Sequence, residues 1–177
     1  MVLARSSFVK FYPTPVGEFA IVISEEANQI LASGFSDNLD HLAQIAAIGP
    51  LKMRHGTSQV DPIVEHFLYG YFEQKSDSSE IAGQLNIKGS RFQLDVWNTL
   101  SKVPFGAKIT YKELAEKAGY KNAYRAAGTA CGMNHHALII PCHRAIHSNG
   151  ETGSYRWGSK IKQFLLDHEN SSNPHHG

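Results

Sequence analysis

The sequence predicts an α+β protein built as two unlike halves. The first 35 residues hold runs of aromatic and β-branched side chains broken by Pro and Gly, the composition of strands and their turns. From residue 90 onward the chain carries helix signals instead: two capping boxes, and apolar residues three and four apart. Charge divides the same way. Residues 1–88 carry six Lys and Arg against ten Asp and Glu, whereas residues 89–177 carry eleven against six.

Phe8-Val9-Lys10-Phe11-Tyr12 and Gly17-Glu18-Phe19-Ala20-Ile21-Val22-Ile23 read as two strands, with Pro13, Pro15 and Gly17 marking the turn between them. Residues 29–35 read as a third. Residues 39–48 read as a helix capped by Asp37 or Asn38, and residues 60–74 as another, with Ile63, Val64, Phe67, Leu68 and Tyr71 at helical spacing. Residues 75–80 form a polar break and a plausible linker. This half shows no chemistry of its own, and its expected role is a stabilising scaffold.

Ser90-Arg91-Phe92-Gln93 is a capping box: Ser hydroxyl and Gln amide each satisfy a backbone N–H left open at a helix start. Phe92, Val96, Trp97, Leu100 and Val103 then make one apolar face, and Pro104 and Gly106 end the helix. Thr110-Tyr111-Lys112-Glu113 is a second box, starting a short helix with Leu114, Ala115 and Ala118 inward. Gly119 stops it, and Asn122 is placed to cap a third helix over residues 123–133. Two short helices across a Gly-containing turn of three or four residues are the helix-turn-helix pattern. The third helix contains Ala126-Ala127-Gly128-Thr129-Ala130-Cys131-Gly132, with no large side chain. It suits close packing against a neighbouring helix or close approach to a minor groove only about 6 Å wide. A last helix begins at Ser159, with Ile161, Phe164, Leu165 and His168 on its apolar side.

The candidate chemistry sits at Ile140-Pro141-Cys142-His143-Arg144-Ala145, after the apolar, strand-like run Ala137-Leu138-Ile139-Ile140. A thiol with imidazole and guanidinium as its next two neighbours can be held as thiolate, the attacking form of cysteine. On these residues alone a buried structural Cys beside a surface His is an equal reading. Cys131, in the small-residue helix, reads as packing.

Pro141-Cys142-His143-Arg144 resembles the acceptor motif of the O6-alkylguanine-DNA alkyltransferases, also called methylated-DNA–protein-cysteine methyltransferases. Asn134 stands where that family has its hinge asparagine. Thr152-Gly153-Ser154-Tyr155-Arg156-Trp157-Gly158 resembles its substrate loop, in the Tyr-Arg-Trp-Gly version of bacterial members, and Glu169 closes the pattern in Leu165-Leu166-Asp167-His168-Glu169. The resemblance covers residues 90–169.

It implies a small ribonuclease-H-like N-terminal α/β domain over residues 1–86, followed over residues 87–177 by a helical winged helix-turn-helix DNA-binding domain. It implies direct-reversal DNA repair: a stoichiometric, irreversible transfer of the alkyl group from O6-alkylguanine, with O4-alkylthymine a second lesion of interest, to Cys142 after base flipping. In that scheme His143 deprotonates the thiol through a water, and Glu169 orients the imidazole, the nucleophile–base–orienter logic of a triad. Tyr111 crowds the 3′ phosphate, Arg125 fills the gap left by the extruded base, and Ala126, Ala127 and Gly128 lie against the groove. Asn134, Pro141, Ala145, Tyr155, Arg156, Trp157 and Gly158 shape the pocket. The partner is alkylated double-stranded DNA entered through the minor groove, by a monomer that can assemble cooperatively on DNA. Three departures stand out: Ala145 replaces the usual Val, His135-His136 replaces a less polar pair, and Arg156 takes the place of the Ser of vertebrate members.

No cofactor is expected, and no metal, because the N-terminal half has no cysteine and the ten histidines show no Cys-rich ligand spacing. Two cysteines make no disulfide framework, which suits a reducing compartment. No apolar run reaches the length of about 18 residues that a membrane span needs, and the N-terminus lacks a signal-peptide core. The expected location is intracellular: the nucleus of a eukaryote or the cytoplasm of a prokaryote. A non-catalytic lesion binder lacks the acceptor cysteine. A transcriptional regulator needs long polar side chains on its recognition helix, and a Cys-His hydrolase needs further motifs that are absent here.

Overall fold

The computed structural model describes residues 7–36, 38–46, 48, 51–53, 58–73 and 80–171. They form an α+β structure in two compact units. One gathers Met1–Ile87 with His135–Ile139, the other Lys88–Asn134 with Ile140–Gly177. Beyond the expected boundary after residue 86, the chain therefore lends a short stretch of its second half to the first unit. The cause is a backbone pairing: Ser33 N–H donates to the His135 carbonyl at 2.9 Å, and Ala137 N–H to the Ser33 carbonyl at 3.2 Å.

In the first unit, β1 (Ser7–Thr14), β2 (Gly17–Ser24), β3 (Gln29–Gly34) and β4 (Lys52–Met53) form a sheet of order β3-β2-β1-β4. The first three pair antiparallel and β4 pairs parallel with β1 at Phe8 and Val9. Residues 19–23 of β2 are buried on both faces, as a central strand requires. Pro13, expected in the turn, lies inside β1 opposite Glu18. A missing N–H is tolerated there because β4 has already ended, leaving that side of β1 an edge. At two residues, β4 is too short to leave a pattern in the sequence.

Helix α1 (Leu39–Ala46) is capped by Asn38, whose Oδ1 accepts the His41 N–H at 3.0 Å; the alternative cap Asp37 and residues 75–79 of the expected break lie outside the described residues, while Glu80, the last residue of that break, opens a 3-10 helix (Glu80–Gln84). Helix α2 (Asp61–Phe72) starts at a buried carboxylate that gathers Lys10 Nζ, Tyr12 OH at 2.6 Å, and the Ser58 N–H and hydroxyl at 2.6 and 2.8 Å.

In the second unit both capping boxes form as expected. Ser90 and Gln93 exchange bonds at the start of α3 (Arg91–Leu100), Thr110 and Glu113 at the start of α4 (Tyr111–Lys117). Helix α5 (Tyr124–Gly132) is tied to α3 by Trp97 Nε1, which donates to the Ala130 carbonyl at 2.8 Å. Asn122 does not cap α5. It sits at φ +62°, a left-handed position that Asn tolerates, and Ala123 takes the cap position with no side-chain bond. The α4–α5 connection accordingly runs over residues 118–123, longer than expected. Short strands β5 (Ile109–Thr110) and β6 (Ala145–Ile146) pair in parallel, and α6 (Ser159–Asn170) closes the unit. No helix among the described residues is long and apolar enough to cross a membrane.

Candidate active site

The run Ala137-Leu138-Ile139-Ile140, expected as a strand, is a buried turn with Leu138 at φ +68°. Its apolarity reflects burial, which a short run cannot distinguish from strand pairing. Pro141 follows, and Cys142–Arg144 makes one 3-10 turn that ends in β6. That single turn sends Cys142 and His143 in different directions.

Cys142 lines a pocket of about 40 Å³ with Tyr111, Gly128, Cys131, Asn134, Tyr155 and Arg156 among its walls. Asn134 Nδ2 donates to Cys142 Sγ at 3.1 Å and to the Ile140 carbonyl at 2.9 Å, so one buried amide fixes both the thiol and the chain leading to it. Burial pushes the Cys142 thiol up. The Asn134 bond, Lys162, a backbone amide and Arg156 pull the other way without prevailing. At rest it is therefore a thiol, and the expected stabilisation by its own sequence neighbours is replaced by these groups.

His143 is fully buried, and its Nε2 lies 2.6 Å from Glu169 Oε1. A carboxylate only accepts, so Nε2 carries the proton and Nδ1 is the basic nitrogen. Burial pushes the imidazole down, against the pull of Glu169, and keeps it neutral. Burial alone would raise the Glu169 carboxyl, but bonds and charge from His143 and Arg144 hold it down at about 2. Arg144 is the clamp that sequence reasoning missed. Nε meets Glu169 Oε2 at 2.9 Å, Nη2 meets Oε1 at 3.0 Å, and Nη1 donates to the Val103 carbonyl at 2.6 Å. Gly106 N–H adds a bond to Glu169 Oε2 at 3.0 Å. The carboxylate is thus fixed on every side, and its charge is matched by Arg144.

Helix α6 buries Lys162, Leu165, Leu166 and Glu169, a row displaced from the expected Ile161, Phe164, Leu165 and His168. Two of its four inward residues are charged, and rules that turn charges outward could not find them. Gly158, at φ +99°, makes the turn into this helix. Tyr155, Arg156 and Trp157 line the cavity beside Cys142; the Tyr155 hydroxyl is buried with no hydrogen-bond partner, and Arg156 Nε donates to the Gly132 carbonyl at 3.1 Å. Pro141 and Ala145 are buried beside the acceptor turn.

A groove of about 920 Å³ is lined by Tyr111, Lys112, Tyr124, Arg125, Gly128 and His147. Arg125 is exposed with its guanidinium 5.8 Å from the Tyr124 ring centroid. Ala126 is exposed, but Ala127 is fully buried, so its small size serves packing and not an outward face. Cys131 is buried yet lines the Cys142 pocket, with its thiol pushed up by burial. His147 was also missed, and Gly153 was named only as part of the loop motif: the His147 ring meets Tyr111 edge-on at 5.1 Å, and a Cβ on Gly153 would stand 2.9 Å from His147 and 3.2 Å from the Tyr111 hydroxyl. Among the described residues no group of three His, Cys, Asp or Glu is placed to hold a metal.

Residues 91–171 match the family described as 6-O-methylguanine DNA methyltransferase, DNA binding domain. A methylated-DNA–protein-cysteine methyltransferase of Candida albicans is 34% identical over 169 residues, covering 96% of this chain and 88% of its own. One from Methanosarcina barkeri is 43% identical over 105 residues, 59% of this chain. The match spans only 65% of that relative's length, and 39% of a Candida glabrata relative's. Among solved structures, Mycobacterium tuberculosis O6-methylguanine methyltransferase is similar with a TM-score of 0.78 at 25% identity, covering 96% of both chains. The same protein in complex with DNA is similar with a TM-score of 0.73 at 26% identity, covering 94% of this chain and 95% of its own.

Proposed function

The chain belongs to the methylated-DNA–protein-cysteine methyltransferase family, and from that premise we propose that it repairs alkylated DNA by moving the alkyl group from guanine O6 to Cys142, once per molecule. The observation that carries this reading is a buried Cys142 sulfur, held by Asn134 at the wall of a small pocket, next in sequence to a neutral His143 backed by Glu169 and Arg144. Such an arrangement makes a thiolate only when a proton acceptor is engaged. His143 Nδ1 takes the thiol proton, through a water; the sulfur bonds to the alkyl carbon as its bond to O6 breaks. Glu169 and Arg144 hold the imidazole and balance its new charge. The thioether left behind has no acyl carbon for water to attack, so the protein is spent after one transfer.

The substrate base reaches the pocket by leaving the duplex, at a cost of a few kcal/mol. A space of about 40 Å³ admits about three waters and no base, so Ser154, Tyr155, Arg156 and Trp157 have to part. The partnerless Tyr155 hydroxyl then gains a base to bond. Arg125, Ala126 and Gly128 of α5 face the minor groove of alkylated double-stranded DNA, with Tyr111 at the phosphate beside the extruded base. The surplus of basic residues in the second half favours that contact. Residues 87–177 act as a winged helix-turn-helix domain, and residues 1–86 as a ribonuclease-H-like scaffold. The protein works as a monomer, with assembly along DNA, in the nucleus of a eukaryote or the cytoplasm of a prokaryote.

Intact-protein mass spectrometry after mixing with duplex DNA containing O6-methylguanine tests the reading. One methyl group per protein, located on Cys142 and absent in Cys142→Ala, is the expected result. Several lesions repaired by one molecule, or the methyl group found on Cys131, would overturn it.

A further inference from the structure

Tyr124 and Arg125 are the two large side chains on α5, whose other residues are Ala, Gly, Thr and Cys. Both stand in its first turn and line the groove beside the Cys142 pocket. Tyr124 is 47% exposed, so burial does not explain a ring at this place, and Ala would be the better helix former. Of the four arginines among the described residues, three are committed by bonds: Arg91 to Asp95, Arg144 to Glu169, and Arg156 to the Gly132 carbonyl. Among the described residues no carboxylate or carbonyl bonds the Arg125 guanidinium. It lies over the Tyr124 ring instead, 5.8 Å from the centroid and within reach of a cation–π contact. Neighbouring positions on a helix point about 100° apart, so the helix does not impose this contact. The guanidinium turns back to meet the ring.

We propose that Tyr124 is a positioning residue for base extrusion: its ring holds the Arg125 guanidinium aimed at the gap that the extruded base leaves. A free Arg side chain gives up rotamer freedom when it enters a base stack, and that loss counts against extrusion. A guanidinium already laid on a ring has lost part of that freedom before DNA arrives. A guanidinium is planar and stacks on aromatic faces. One of its faces can therefore lie on Tyr124 while the other meets a base. The contact also strengthens when it is needed. It is wet in the free protein, but DNA seated in the groove excludes water from it, and a desolvated cation–π pair is stronger than an exposed one. Residues 126–132 of α5 are too small to offer such a support, so it falls to the first turn.

The inference rests on the alkyl-transfer reading and on Arg125 as the residue that fills the gap. Its test compares methyl transfer from O6-methylguanine in a duplex with transfer from the same oligonucleotide as a single strand, where no base pair has to open. Tyr124→Leu is expected to slow duplex repair about tenfold, the worth of a cation–π pair shielded from water, and single-strand repair no more than about twofold. Tyr124→Phe keeps the ring and should match the unaltered protein on both DNAs. Tyr124→Leu/Arg125→Ala should be no slower on duplex DNA than Arg125→Ala, because the ring acts only through the guanidinium. Thermal unfolding identifies variants that fold; Tyr124→Ala, the better helix former, takes the place of Tyr124→Leu should that one fail to. Equal losses on the two DNAs, a Tyr124→Phe variant as slow as Tyr124→Leu, or losses that multiply in the double variant overturn the positioning role. If the unaltered protein takes no methyl group from either DNA, it is the alkyl-transfer reading that fails.

Discussion

Asn134 Nδ2 donates to Cys142 Sγ at 3.1 Å, and a donor at that place favours the thiolate over the thiol. Asn134→Ala should therefore move the alkylation-rate profile of Cys142 to higher pH; an unmoved profile would restrict Asn134 to holding the Ile140 carbonyl. Arg125 is not among the residues that line the Cys142 pocket and stands exposed in the adjoining groove. Arg125→Ala should slow repair of duplex DNA while sparing reaction with free O6-benzylguanine, by roughly tenfold for each 1.4 kcal/mol of support lost to the extruded base. Equal losses on the two substrates would remove it from base extrusion. Cys142, His143, Asn134 and Glu169, which the fold joins in two bonded pairs, could be picked out because they stand in short motifs. The burial of Lys162 and the bonds of Arg144 to Glu169 could not, because nothing in a linear sequence says which charged side chain will find buried partners.

Helix starts were the most legible elements, since a capping box states both partners within four residues. Ser90→Ala and Thr110→Ala should each cost about 1 kcal/mol of stability, measured by urea unfolding, and neither should alter the pH dependence of Cys142 alkylation. Helix α6 shows where periodicity misleads. Apolar residues nominate the face at Ile161, Phe164 and His168, while the buried row runs through Lys162 and Glu169 one position further on. The two charged groups are stable inside because Ala145, His143 and Arg144 meet them, partners that come from a distant turn. Helix α5 is a third case. Its small residues serve two ends, with Ala127 and Ala130 packed inside and Ala126 turned outward, and composition alone could not separate them. The segment before Cys142 was misread as a strand because burial and pairing give the same apolar run.

At the scale of the whole molecule, both units carry titratable groups whose folded values are depressed, so acid should act on both. His136 in the first unit is pushed down by burial from 6.5 to about 4, although its bond to the Asn86 carbonyl opposes the shift. His143 in the second unit is pushed down by burial too. Burial would raise Asp61 and Glu169, but their bonds prevail and hold each at about 2, against ordinary values of 3.8 and 4.5. As pH falls below 6.5, unfolded chains take up protons that folded His136 refuses until about 4, and stability drops across that window. A second loss follows from about 4.5 down to about 2, as the unfolded carboxylates protonate before the folded ones. Above 6.5 none of these four groups contributes a slope. The unfolding free energy from urea titrations should therefore be level near neutrality and fall in two stages. His136→Gln should flatten part of the upper stage and leave the lower one; Asp61→Asn should flatten part of the lower stage and leave the upper. If His136→Gln runs parallel to the unaltered protein between pH 6.5 and 4, the depressed imidazole is not what makes the fold sensitive to mild acid.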